Sequence, residues 1–97
     1  GYAVGRELDT FRLHVSNLRQ NLISLSKRIK ISRELLKVAQ ARFQTSQIER
    51  NANRISANKH LESKIALGQA KINQLDSVCE YLKTHDLYLK ATQQNHE

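Results

Sequence analysis

Between two apolar stretches of the chain lies the polar interval QTSQIERNANRISANKH, residues 44–60. The interval contains Asn51 and Asn53, and asparagine tolerates the left-handed backbone conformation that commonly ends a helix. Ser56 follows at a position from which it can cap the start of a second helix. The interval therefore predicts a connection at about residues 51–55 between two helices.

The same interval also fits an uninterrupted helix. It lacks glycine and proline, and Ile48, Ala52 and Ile55 keep a thin apolar stripe at the spacing i, i+4, i+7. The alternative fold is therefore one continuous long coiled-coil helix, roughly 130 Å long at the helical rise. A hairpin brings some like charges together, but exposed pairs change stability by only a few tenths of a kcal/mol.

Before the interval, apolar residues recur in alternating steps of three and four. Such steps place the side chains on one stripe of a helix, and a sustained period of 3.5 residues is typical of a coiled coil. Only Ser32 interrupts the series. We call this row the first seam; it comprises Leu8, Phe11, Val15, Leu18, Leu22, Leu25, Ile29, Ser32, Leu36, Ala39 and Phe43.

A second row of the same period follows the interval. Its a positions carry isoleucine and its d positions leucine, a combination that favours two-stranded parallel coiled coils, although a glycine and an aspartate interrupt it. Its phase differs from that of the first seam by one residue, about 100° around a helix. A turn absorbs this shift more easily than a rod does. We call this row the second seam; it comprises Leu61, Ile65, Gly68, Ile72, Leu75, Cys79, Leu82, Asp86 and Leu89.

Composition supports an all-α fold. The 97 residues include no proline and three glycines, too few turn residues for a β-sheet domain of this size. We predict two long helices, at about residues 6–50 and 56–92, that form an antiparallel coiled-coil hairpin within a helical bundle. Because the sequence starts at Gly1 without methionine, we expect residues 1–97 to be a single coiled-coil segment of a longer protein.

The wide apolar faces predict a protein partner. Two helices that pair along one stripe leave further stripes exposed, such as Ile31, Leu35 and Val38, and bundles of three or four helices bury such faces. We expect a homo-oligomer, or a hetero-oligomer with a more acidic helix. The predicted contact residues are Leu8, Phe11, Val15, Leu18, Leu22, Leu25, Ile29, Leu36, Phe43, Ile65, Ile72, Leu75 and Leu82.

Positive charge is concentrated in the first half of the chain. Residues 1–48 carry nine basic and three acidic side chains. The cluster at residues 27–42 is expected to steer partner choice. The alternative function is nucleic-acid binding through this cluster, and an anionic membrane surface is a third possibility, but no aromatic residues interleave it to stack on bases. Its basic members are Lys27, Arg28, Lys30, Arg33, Lys37 and Arg42.

The sequence gives little support for catalysis. No two histidines stand at i, i+4, and neither a zinc-ligand pattern nor a glycine-rich phosphate loop is present. We therefore expect a non-enzymatic scaffold, adaptor or oligomerisation module with no metal site and no cofactor. No run of about eighteen apolar residues is present, so we expect no transmembrane segment. The single cysteine, Cys79, fits the cytoplasm or another reducing compartment.

Overall fold

The computed structural model describes the backbone of residues 2–94 and the side chains of residues 5–93. Gly1 and residues 95–97, the ends of the predicted segment, lie outside the described residues. Helix α1 spans Tyr2–Asn51 and helix α2 spans Ala57–Gln94, and the two pack antiparallel as a hairpin. The predicted all-α fold and hairpin are confirmed. The continuous helix is not formed, because the chain turns between residues 51 and 57.

The turn ends α1 with a Schellman motif. Asn53 has a φ of 57°, in the left-handed region. Its N–H donates to the carbonyl of Arg50 (3.0 Å), and the N–H of Arg54 donates to the carbonyl of Glu49 (2.8 Å). These are the two bonds that define the motif and satisfy the last carbonyls of a helix. Asparagine at this position therefore explains how the chain turns without glycine.

Ser56 caps the second helix, as the sequence predicted. Its Oγ accepts a hydrogen bond from the N–H of Lys59 at 3.1 Å, which satisfies a free donor of the first turn of α2. A capping residue has a non-helical backbone, so α2 begins at Ala57, one residue later than expected. The guanidinium of Arg50 also donates to the carbonyl of Ile55 (3.2 Å), which ties the end of α1 to the connection.

The conformation of Asn53 leads to a testable prediction. Asn53→Ala should lower the free energy of unfolding by about 1 kcal/mol, because the left-handed region disfavours a Cβ that has no polar group to offset it. Asn53→Gly should not lower it. Urea denaturation of both variants checks this. Asn51→Ala, inside the helix, is the matched control; an equal loss at both alanine variants would contradict the assignment.

The two helices form two compact units. Unit 2 is Arg28–Ser77 and contains the turn. Unit 1 combines the described residues of Gly1–Lys27 and Val78–Glu97. In each unit the first seam supplies the inner face of α1: its residues are buried or half-buried, except Leu8. In unit 2 these are Ile29, Ser32, Leu36, Ala39 and Phe43; in unit 1 they are Phe11, Val15, Leu18, Leu22 and Leu25.

The inner face of α2 is formed by one leucine and otherwise by small, polar and aromatic residues, rather than by the second seam. These residues are also buried or half-buried, and they also recur in alternating steps of three and four. We call them the inner row. In unit 2 it comprises His60, Ser63, Leu67, Ala70, Gln74 and Ser77; in unit 1 it comprises Tyr81, Thr84, Tyr88 and Ala91.

The resulting interior contains few fully buried apolar side chains. Among the described side chains, the buried apolar residues are Leu18 and Ala91, and three further buried residues are serines. Ser32 donates to the carbonyl of Ile29 and Ser77 to that of Asn73, both at 2.9 Å, so these hydroxyls are satisfied within their own helices. Because helices gain most of their stability from apolar packing, the hairpin interior stabilises the fold only weakly.

Candidate partner-binding surface

The second seam lies on the exposed surface of α2. In unit 2, Leu61, Ile65, Ile72 and Leu75 are each between 52 and 64% exposed. In unit 1, Leu82 and Leu89 are exposed as well. Isolated exposed aliphatic residues are ordinary, but residues that repeat every three or four positions form a continuous apolar stripe. The outside of α2 is therefore apolar along this stripe.

The position of the inner row explains this exposure. The second seam is offset from the inner row by one and a half residues on average, which is about 150° around an α-helix. Because the inner row faces α1, the second seam points almost directly away from it. α2 therefore carries two coiled-coil faces on nearly opposite sides, and only the less apolar one is used inside the hairpin.

The predicted contact residues thus fall into two groups. Those of the first seam, apart from the exposed Leu8, lie on the inner face of α1, where they stabilise the hairpin itself. Their contact with a partner stays a prediction. Ile65, Ile72, Leu75 and Leu82 lie on the exposed face of α2 and are accessible to a partner.

A groove runs along one flank of unit 2. Its volume is about 800 Å³, and small residues such as Ala39, Ala66 and Ala70 line it between the two helices. Leu35 and Val38 of the predicted extra stripe also line it and are exposed, whereas Ile31 is exposed beside it. Four charged residues of both signs stand along its walls: Arg42, Glu49, Lys59 and Glu62. Unit 2 therefore has a second surface with exposed apolar side chains, separate from the second seam.

A polar cluster inside unit 2 was not predicted. The Oγ of Ser46 lies 2.8 Å from the Nδ1 of His60 and 2.9 Å from the Oγ of Ser63, which also lies 2.7 Å from the carbonyl of His60. The ring of Phe43 stacks on the imidazole with 5.5 Å between centroids. Because the two hydroxyls can donate in either direction around this chain, the Nδ1 of His60 has a hydrogen-bond partner whether or not it carries the proton.

The cluster explains why α2 presents its polar row to α1. It joins two positions of α1 to two positions of α2 and so fixes how α2 is rotated about its own axis. The signal in the sequence was the spacing of His60, Ser63, Leu67 and Ala70, which matches a heptad row. A search for apolar residues alone passes over it, because half of these residues are polar.

The basic cluster remains on the surface. All six of its side chains are exposed, and the ammonium of Lys37 contacts the carboxylate of Glu34 at 3.3 Å within α1. Exposed ion pairs of this kind contribute a few tenths of a kcal/mol. The six side chains are therefore accessible to solvent, and their role in steering partner choice stays a prediction.

Comparisons with protein families, with curated proteins and with solved structures found no match. Within residues 2–94, neither helix has an apolar window of the length and hydropathy that crossing a membrane requires. Among the side chains that the structure describes, no three of histidine, cysteine, aspartate and glutamate are grouped as metal ligands.

Proposed function

We propose that this chain is a helical interaction module that binds a protein partner through the second seam on the outer face of α2. The observation that carries the proposal is the exposure of four large aliphatic side chains in unit 2 at coiled-coil spacing. Each would contribute up to about 1.5–3 kcal/mol if a partner buried it fully.

The small number of buried apolar side chains inside the hairpin supports the same proposal. Apolar packing in each unit rests on half-buried side chains, and serines occupy several of the most buried positions. A stable all-α domain usually buries one apolar face of each helix against its neighbours. Here the more apolar face of α2 has no neighbour within unit 2. Burial by a partner would supply the packing that the chain itself does not.

The proposed role is non-enzymatic, as a scaffold, adaptor or oligomerisation segment. It requires no cofactor, since its free energy comes from the burial of side chains. We place it in a reducing compartment such as the cytoplasm, because its single cysteine, Cys79, is a free thiol on an exposed helix surface. In such a compartment the thiol would stay reduced.

The stability of the isolated chain tests the need for a partner. At micromolar concentration or below, we expect the free chain to melt below about 45 °C, the lower end of the range for ordinary domains. Circular dichroism at several concentrations measures the melting, and sedimentation velocity measures the mass at each concentration. A monomer that unfolds cooperatively above about 65 °C would contradict the proposal, since it would be stable without any partner.

A further inference from the structure

We propose that the partner on the second seam is a second copy of this chain, with the two α2 helices parallel and in register over residues 61–75. This inference rests on the proposed function, because it names the occupant of the same surface. Three features of this segment support it: the residue types in the seam, the charges beside it, and the glycine at its centre.

The residue types favour a parallel pair. In coiled-coil register, Ile65 and Ile72 occupy a positions, while Leu61 and Leu75 occupy d positions. β-branched isoleucine packs well at a, and leucine packs well at d, in two-stranded parallel coiled coils. The other copy presents the same residues in the same order, so isoleucine packs against isoleucine and leucine packs against leucine across the pair.

The charges distinguish parallel from antiparallel pairing. One flank of the seam carries Glu62 and Asp76, and the other carries Lys64 and Lys71; all four side chains are exposed. In a parallel pair the acidic flank of one chain meets the basic flank of the other, and Lys71 is at the g position that approaches Asp76 of the second copy at e. An antiparallel pair would instead bring like charges together, placing Glu62 near Asp76 in one register or Lys64 near Lys71 in the alternative register.

These charges select an orientation rather than supply the affinity. Each exposed pair contributes a few tenths of a kcal/mol, and the two-fold axis of a symmetric pair repeats every contact. The contact between Lys71 and Asp76 therefore forms twice in the parallel pair. The apolar seam provides the attraction, and the charges decide which of two otherwise similar alignments is lower in free energy.

Gly68 fits the same arrangement. It lies at a d position midway along the segment, and a Cβ added there would meet no atom of its own chain within 4 Å. Nothing within the hairpin therefore requires a glycine, although glycine in a helix costs about 1 kcal/mol relative to alanine. In a parallel, in-register pair the two glycines face each other and allow the helix backbones to approach closely.

The hairpin leaves room for this pairing. Within unit 2, α1 packs against the inner row, on nearly the opposite side of α2 from the second seam. A second copy therefore approaches α2 without displacing α1. The paired segment resembles a row of four helices, with the two α2 helices at its centre.

Disulfide cross-linking tests the orientation. Leu61→Cys and Leu75→Cys would each be made in a Cys79→Ser chain and oxidised mildly. In the parallel pair each variant should link to its own copy. In an antiparallel pair at most one variant could link to its own copy, because only a residue at the centre of the pair faces its own copy; positions 61 and 75 are about 21 Å apart along a helix, whereas a disulfide needs Cα atoms within about 7 Å. Ile48→Cys, exposed on α1 away from the seam, is the matched control and should not link.

Sedimentation of the chain without added cysteines completes the test. A mass of twice 11.2 kDa, together with self-linking at both positions, supports the proposal. A dimer in which either variant fails to link to its own copy, or assemblies that keep growing with concentration, would overturn it. A monomer that melts at low temperature would overturn self-pairing but leave the proposed function standing. A monomer with a cooperative melt at high temperature would overturn both.

Discussion

Leu18→Asp is expected to abolish the cooperative folding of unit 1. Leu18 is 7% exposed, the most buried large apolar side chain among those described. Removing a buried leucine costs about 2–5 kcal/mol, and a carboxylate left in its place must also be desolvated without a partner. Because small domains have only about 5–15 kcal/mol of stability, a loss of this size leaves little structure. Loss of far-ultraviolet circular dichroism, and of hydrogen-exchange protection in residues 11–25, measures the effect.

Leu13→Asp is the matched control for this variant. It introduces the same charge on the same helix and in the same unit, but Leu13 is 62% exposed. Its aspartate stays in water, so we expect a change within about 0.5 kcal/mol, as for other surface substitutions. If the two variants unfolded at the same urea concentration, the first seam would not form the inner face of α1 in unit 1.

Ile72→Glu is expected to disrupt association while leaving the hairpin folded. Ile72 is 58% exposed on α2, so glutamate there remains hydrated in the free chain. In the self-paired state each copy would bury one such side chain. A loss of at least 1.4 kcal/mol from each of the two copies raises the dissociation constant at least about a hundredfold. Sedimentation equilibrium measures the constant, and circular dichroism reports the helix content.

Ile48→Glu is the control for the effect of charge alone. Ile48 is 70% exposed on α1 and lies neither on the second seam nor on the inner face. Its replacement should leave the dissociation constant within about threefold of the original, since surface changes are usually within about 0.5 kcal/mol. Equal weakening by both variants would show that net charge, rather than burial of the second seam, governs association.

The turn was predictable from the sequence because its determinants are local. A left-handed residue and a capping hydroxyl act over four or five neighbouring residues, so Asn53 and Ser56 identified the connection without knowledge of the rest. The first seam was predictable for a related reason. Ten of its eleven residues are apolar, and a row of that strength can only face the interior or a partner.

The face that α2 turns toward α1 was not predictable in this way. Both the inner row and the second seam have heptad spacing, and apolar content alone favours placing the second seam inside. The rotation of α2 depends on how residues distant in sequence meet across the hairpin. The contacts of Ser46 with His60 and Ser63 are of this kind, and no local sequence pattern predicts them.

The amino-acid sequence by itself determined that this protein consists of two long helices, where they separate, and that it has more apolar stripes than two helices can bury. Those properties follow from helix period, from residue preferences at helix ends, and from the amount of apolar side chain. Only the tertiary structure decided which stripe remains outside. The turn and the Ser46–His60–Ser63 cluster fix the rotation of α2 in unit 2, and a rotation of about 150° separates the polar face inside from the apolar face outside.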